Sequence, residues 1–444
     1  MKTVQVLYDN VSEPNGYGLI PFLYKDSKRN AADTLFDNSV SVWDKACVGF
    51  DNVKPEHFTV YPIQFLNPNQ IDYEKFIRPL LSTKLVEFLK TKTHKVYLLL
   101  FMPTEGLELS WYDYRMLREI KKLADSDLID KNKILFVYGD LNVKELVEKI
   151  NIDRPATKSY IPKENIFAFN WFERIASNHI TNTGYKLDRY NFTNYTQPTK
   201  HFIYKIGNIR PGRVFTYLFL KVNGLLEKGF YSFLDTSNNY ELYTDKKFFY
   251  NSMEDFTIDR NLYYKEYQKL KKDLPIVLDI PKEGSEFIAN KPVFPEQFVK
   301  DAAIEIVVET HADIDNAGGL NITEKTFNPM LYRLPFIILG SPKLYKYLQQ
   351  KGYGTFPMLF DEKFSREPNF KKRSQMFCTE IEKFCNRPLE EISEIISSKE
   401  VQGTIENNFN VLKSQINNPS KLDLDFFNLF KNKKQVIDLK KWQK

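Results

Sequence analysis

The feature that most constrains this chain is an alternation, repeated twice, of short apolar runs with amphipathic helical stretches. In the first half, strand-like runs are Thr3–Leu7, Thr59–Phe65, Lys95–Met102, Ile134–Tyr138 and Ile166–Asn170. Helical patterns fall between them at Tyr73–Thr91, Tyr112–Ala124 and Val143–Ile150. Strand-then-helix order predicts a parallel sheet with crossover helices. Val96–Phe101 is continuously apolar, as expected of a strand covered on both faces. A polar stretch, Thr181–Lys200, then interrupts the pattern and reads as a linker. The alternation restarts with strand His201–Ile206, helix Pro211–Asn223 and strand Gly229–Phe233. It continues with strand Ala303–Glu309, helix Glu324–Tyr332, strand Phe336–Leu339 and helix Pro342–Lys351. From Asn369 onward the pattern is mostly helical. The predicted class is α/β, with two facing doubly wound parallel-sheet lobes and a mostly helical C-terminal region. The lobes are residues 1–185 and 200–444, and 444 residues suit two cores better than one.

Bulk properties narrow the function classes. Hydrophobic residues at 42% and charged residues at 27% fit a globular chain and exclude a disordered one. The formal charge of +6 is spread over 63 basic and 57 acidic residues, so a polyanion clamp is not dictated, although Lys431–Lys444 is lysine-rich. The three cysteines, Cys47, Cys378 and Cys385, have no metal-ligand spacing, which predicts a reducing, cytoplasmic setting. Cys378 and Cys385, seven apart, share a helix face and read as buried thiols. No apolar run resembles a signal peptide or a membrane span.

In such sheets ligands bind beyond the carboxyl ends of the strands, so informative residues should follow strands. Thr323 is a good N-cap for a helix opening at Glu324. The helix start supplies N–H groups and a positive dipole end, and Lys325 adds a full charge. Glu324 is placed to accept ribose hydroxyls, and Asn321 flanks the same point. Pro329 inside this helix removes a hydrogen bond and should kink or shorten it. The same residues also fit an ordinary capped helix with an exposed Glu-Lys pair. Arg210 and Arg213 sit where strand His201–Ile206 turns into its helix, and guanidinium suits bidentate phosphate binding. Their other reading is a pair of solvated arginines. Glu105, in Met102-Pro-Thr-Glu-Gly106, follows the most apolar strand of the first lobe, where a carboxylate can act as general base. It also fits a surface acid. His311 stands just after strand Ala303–Glu309, within reach of a donor. Asp313-Ile-Asp315 matches an Asp-x-Asp metal pattern weakly, and no metal site is assigned.

Thr323-Glu-Lys-Thr-Phe followed by Leu-Pro-Phe-Ile-Ile-Leu-Gly340 resembles the fucosyltransferase-like family 10 glycosyltransferases. The closer likeness is to a divergent branch common in tailed phages. Gly340-Ser341, Gly352-Tyr-Gly-Thr-Phe356, Asp361-Glu362, Tyr231-Ser-Phe233 and Glu105-Gly106 also resemble that branch. The clear likeness runs from about Lys200 to Lys363. It implies a GT-B fold whose first lobe takes the acceptor and whose second holds a nucleoside-diphosphate sugar. It implies transfer with inversion to a hydroxyl, no tightly bound cofactor and no essential divalent metal. Glu324 would then meet the ribose, Lys325 and either Arg210 or Arg213 the diphosphate, and Glu105 would be the base. The family's aromatic-rich Glu-Ser-Pro motif is absent. The acceptor is a saccharide or, for a phage protein in the host cytoplasm, a hydroxymethylated DNA base. A DNA acceptor calls for a basic first-lobe face, with Lys25, Lys28 and Lys84 as candidates. The alternative from another class is a catalytically silent nucleotide-sugar or glycan binding module on the same scaffold.

Overall fold

The computed structural model describes residues 2–7, 19–21, 43–48, 50–55, 57–65, 73–102, 111–153, 161–170, 172–173, 176, 197–234, 258–278, 296–313 and 319–415. By its contacts the chain divides into two units. Among the described residues, the first holds those up to 173 together with 319–321 and 415, and the second holds 176–313 and 322–414.

The first unit is built on a seven-stranded sheet. Its strands are β1 (Lys2–Leu7), β2 (Leu19–Pro21), β3 (Trp43–Val48), β4 (Thr59–Phe65), β5 (Val96–Met102), β6 (Ile134–Tyr138) and β7 (Ile166–Ala168), in the order β3-β1-β4-β5-β6-β7. Every pair along that path is parallel, and β2 adds to β4 antiparallel. Helices α1 (Thr83–Lys90), α2 (Trp111–Asp125) and α3 (Val143–Asp153) supply the crossovers. Leu98, Leu100, Ile134 and Phe136 from the sheet pack with Leu85, Leu89, Leu117, Ile120 and Val143 from these helices, all 1% exposed or less. Burying each such side chain stabilises the unit by about 1.5–3 kcal/mol relative to exposure.

The stretch Tyr73–Thr91, read as one helix, is broken. A π-turn over Tyr73–Ile77 runs into a 3-10 turn over Arg78–Leu80 that contains Pro79, and α1 begins afresh after Ser82. Pro79 cannot donate to a continuing ladder, and the Ser82 hydroxyl caps the new start by accepting the Leu85 N–H at 3.3 Å. At the other end of α1, the buried Lys133 ammonium donates to the carbonyls of Phe88, Thr91 and His94. Lys84, on α1, is paired with Asp51. Lys25 and Lys28 lie outside the described residues.

The second unit has a four-stranded parallel sheet, ordered β11-β10-β8-β9, from β8 (Lys200–Ile206), β9 (Gly229–Phe233), β10 (Ala302–Val308) and β11 (Phe336–Leu339). Its helices are α4 (Pro211–Val222), α5 (Arg260–Asp273), α6 (Glu296–Asp301), α7 (Glu324–Leu331) and α8 (Leu344–Gln350). Every residue of the inner strand β10 is buried, as a strand covered on both faces requires. Tyr204 points to one face, where its hydroxyl donates to the Arg213 carbonyl of α4 at 3.2 Å. Lys205, next along, points to the other, over the ring of Tyr332 that ends α7. Gly229 lies opposite Phe202 in the β8–β9 register, where a Cβ would stand 2.2 Å from the Phe202 ring. The helical C-terminal region is α9 (Phe370–Cys385), α10 (Leu389–Ser397) and α11 (Lys399–Ser414). Cys378 and Cys385 are buried along α9, and burial pushes the Cys385 thiol up to about 12, so both stay protonated at neutral pH. The α/β class expected from the sequence, with two parallel-sheet units and a helical C-terminal region, is what the chain adopts. Among the described residues no helix is long and apolar enough to cross a membrane.

Candidate anion site at the switch point of the second sheet

In the order β11-β10-β8-β9, β8 leads through α4 to β9 on one side, while β10 and β11 lie on the other. The sheet's topological switch point is therefore between β8 and β10. That is where doubly wound sheets open a crevice at their carboxyl ends. The residues leaving those ends are Gly207–Arg210 and Glu309–His311.

Arg210 is the N-cap of α4, in extended backbone (φ −148°, ψ 150°), with Pro211 behind it and no side chain capping the helix start. It is part-exposed. Arg213, one turn on, is different from the cleft-side arginine its spacing implied. It is 2% exposed. Its Nε donates to the Val308 carbonyl at 3.2 Å, Nη1 to the Asn208 carbonyl at 3.2 Å and Nη2 to the Thr310 hydroxyl at 3.0 Å. Arg213 thus braces the turn after β8 against the end of β10. The carbonyls of Val308 and Asn208 and the Thr310 hydroxyl supply the acceptors that a buried guanidinium requires.

His311 is 4% exposed. Burial holds its pKa at about 3, with the positive charges of Arg210, Arg213 and Lys325 pushing the same way. The imidazole is therefore neutral at physiological pH, under the influence of three cations from two helix starts, α4 and α7. Thr323 caps α7 as its sequence position predicts, accepting the Lys325 N–H at 3.4 Å. Lys325 Nζ meets Glu324 Oε1 at 2.5 Å and Thr323 Oγ1 at 3.4 Å. Burial resists the Glu324 charge, but the adjacent Lys325 ammonium prevails and holds that carboxyl below its ordinary range. Pro329 shortens α7 to eight residues, ending at Leu331. Past that end Arg333 takes a left-handed φ of 54°, with its guanidinium 4.0 Å over the Phe409 ring of α11.

The residue that sequence reasoning passed over is Glu309. It is 1% exposed at the end of β10. It accepts the Thr323 N–H at 3.1 Å and hydroxyl at 2.6 Å, the Thr326 hydroxyl, and the Thr310 N–H at 3.3 Å. An acid closing an apolar strand carried the only signal. Deeper in the same sheet Lys205 and Glu305 form a buried ion pair at 2.6 Å.

Other expected residues are placed separately. Asn321 is 5% exposed, and its carboxamide nitrogen is buried with no hydrogen-bond partner. It belongs to the short segment grouped with the first unit. There the fully buried Asp140, after β6, accepts the Leu320 N–H with both carboxylate oxygens at 3.1 Å. Glu105, the expected base, lies outside the described residues, as does Asp315, while Asp313 is exposed. Among the described residues no cluster of His, Cys, Asp or Glu is arranged to hold a metal ion. Of the interval 235–295, only 258–278 is described, most of it α5. The motif residues around Gly352–Phe356 and Asp361-Glu362 turn out to brace one another. Glu362 accepts the Thr355 hydroxyl and the Phe356 N–H, both at 2.9 Å, and Asn408 brackets Gly354 through its N–H and carbonyl.

Fold and site together define a two-unit α/β protein whose second sheet gathers cations at its switch point. No family model matches the chain, and no curated protein matches it significantly. The crystal structure of a UDP-GlcNAc 2-epimerase from Neisseria meningitidis, bound to UDP-GlcNAc, aligns with 94% of this chain and 100% of its own, at 10% identity and a TM-score of 0.32.

Proposed function

We propose that this chain is a GT-B glycosyltransferase that moves a sugar from a nucleoside-diphosphate sugar to a hydroxyl acceptor, with inversion. The observation that carries the reading is the convergence of Arg210, Lys325 and neutral His311, with the N-terminus of α7, on the β8–β10 switch point. That is the chemistry a diphosphate needs: fixed cations, helix N–H groups and a polar, low-dielectric wall.

In this reading Arg210 and Lys325 hold the diphosphate. Arg213 supports them from behind, because its donors are committed to Val308, Asn208 and Thr310. Glu324 accepts the ribose hydroxyls once Lys325 turns to the phosphate. As the bond between the anomeric carbon and the diphosphate oxygen breaks, charge grows on the leaving group, and these cations stabilise it more than they stabilise the intact donor. The protein thus supplies the charge itself, and a divalent metal is not required by the chemistry. His311, uncharged, adds a neutral polar ring beside these cations. Glu105 is assigned the acceptor proton on the strength of the family resemblance and its position after β5. The acceptor oxygen then attacks the anomeric carbon from the face opposite the leaving group, which inverts the configuration. The acceptor is a saccharide or a hydroxymethylated DNA base.

The test is donor turnover. The purified chain is incubated with a panel of uridine-, guanosine-, adenosine- and cytidine-diphosphate sugars, and released nucleoside diphosphate is measured with and without acceptor. Release from one donor, lost in Arg210→Ala and in Glu105→Gln, is the expected result. Binding without release in any combination would make the chain a silent binding module instead.

A further inference from the structure

We propose that Glu309 is a positioning residue of this anion site: it fixes the Thr323 hydroxyl and, through it, the Lys325 ammonium that receives a diphosphate. The ligand part of this inference rests on the donor-site reading above.

Glu309 Oε1 accepts the Thr323 N–H at 3.1 Å and the Thr326 hydroxyl, and Oε2 accepts the Thr310 N–H at 3.3 Å and the Thr323 hydroxyl at 2.6 Å. Each oxygen thus takes one backbone N–H and one hydroxyl, and an ionised carboxylate has the four acceptor sites to match. The Thr323 hydroxyl has a single proton, and Glu309 takes it. Its lone pairs must then face the other way, toward the Lys325 N–H and Lys325 Nζ, both at 3.4 Å. The helix cap and one of the lysine's two contacts, the other being Glu324 Oε1 at 2.5 Å, are therefore set by the same carboxylate. Thr310 carries the network to the other helix, since its hydroxyl accepts Arg213 Nη2.

A glutamine at 309 has nearly the same shape and fails in a definite way. Either end of its amide that carries the NH2 group opposes a backbone N–H, of Thr323 or of Thr310. A hydroxyl can rotate to accept, but a backbone N–H cannot. Electrostatics alone makes the opposite forecast. Glu309 is a negative charge in a site of cations, so removing it should strengthen anion binding. The sign of the change therefore separates positioning from bulk charge.

The experiment uses the full chain as wild type, Glu309→Gln and Thr326→Val, with two readouts. The first needs no ligand: the rate at which an amine-reactive reagent labels Lys325, followed by peptide mass spectrometry. The second is the dissociation constant for UDP, GDP, ADP and CDP by calorimetry. Glu309→Gln should raise Lys325 labelling several-fold and weaken the preferred nucleotide by about tenfold, the scale of one lost charge-assisted hydrogen bond. Thr326→Val, which removes one donor and leaves the Thr323 lock, should stay near wild type in both. Wild-type labelling or tighter nucleotide binding in Glu309→Gln would overturn the proposal. If wild type binds none of the four nucleotides yet Glu309→Gln still exposes Lys325 to the reagent, the donor-site reading falls and the positioning role stands. Should Glu309→Gln not fold, Thr323→Val against Thr323→Ser decides by the same labelling: only the valine variant should expose Lys325, and equal rates in both would overturn the proposal.

Discussion

The guanidinium of Arg213 and the hydroxyl of Thr310 lie 3.0 Å apart, joining the first turn of α4 to the residue that follows Glu309. Two arginines three positions apart thus do different work. Arg213 is buried and bonded to two carbonyls and a hydroxyl, whereas Arg210 occupies the N-cap position of the same helix, part-exposed. Arg213→Lys should cost about 2 kcal/mol in chemical denaturation, because an ammonium cannot satisfy acceptors laid out for a planar fork. Arg210→Ala should stay within about 0.5 kcal/mol of wild type while losing nucleotide affinity. Equal stability losses in the two variants would contradict this division of roles.

His311 makes stability depend on pH. Its folded pKa is about 3, below the ordinary 6.5 of histidine, because it is buried among cations. Between these values the unfolded chain binds a proton that the folded chain does not. This contribution is complete above the ordinary value and is lost as pH falls toward 3, at about 1.4 kcal/mol per pH unit. Denaturation midpoints at pH 7, 6 and 5 should fall more steeply in wild type than in His311→Asn. Parallel curves would show that His311 is not held neutral by its surroundings.

Lys205 and Glu305 form an ion pair at 2.6 Å on the inner strands of the second sheet. Burial lowers the Lys205 pKa and raises that of Glu305, while each ion favours the other's charge. Lys205→Met leaves a lone buried carboxylate and should cost about 3 kcal/mol. Adding Glu305→Leu should recover much of that loss. A double mutant that is simply the sum of two losses, followed by urea denaturation, would show that the pair is not coupled.

Gly229 faces Phe202 with no room for a side chain, since a Cβ would lie 2.2 Å from the ring. Gly229→Ala should therefore destabilise the β8–β9 pairing by about 1–3 kcal/mol, the usual cost of overpacking. Phe202→Leu in the same background should restore part of it. No change on alanine substitution would contradict the packing described.

The strands that the sequence makes legible are those rich in β-branched, aliphatic and aromatic residues. Thr59–Phe65, Ile134–Tyr138, Gly229–Phe233 and Phe336–Leu339 have the boundaries their composition implies. Two strands of the first sheet escaped. β2 is three residues long, too short for a period, and β3 carries Asp44 and Lys45 at the sheet edge, where polar residues are tolerated. The helix read across Tyr73–Thr91 fails at Pro79, because apolar periodicity continued on both sides of a residue that cannot continue the ladder. In the site, the Thr323 cap and the Lys325 charge were legible from local rules of helix ends. Arg213 and Glu309 were not. Both look like surface charges in one dimension, and what fixes their roles is tertiary: the pairing of β8 with β10 brings Thr310 to Arg213 across 97 residues, and the loop after β10 returns Thr323 to Glu309 across 14.

The most direct measurement of the central claim is the thermal and calorimetric response of wild type and Lys325→Ala to UDP, GDP, ADP and CDP. A nucleotide at 100 times its dissociation constant should add about 2.7 kcal/mol to the stability of the wild type. One nucleotide that stabilises wild type and leaves Lys325→Ala unchanged is the result expected of a diphosphate site at the β8–β10 switch point. No response to any of the four, with both proteins melting alike, would contradict it and leave Arg210 and Lys325 as parts of the scaffold alone.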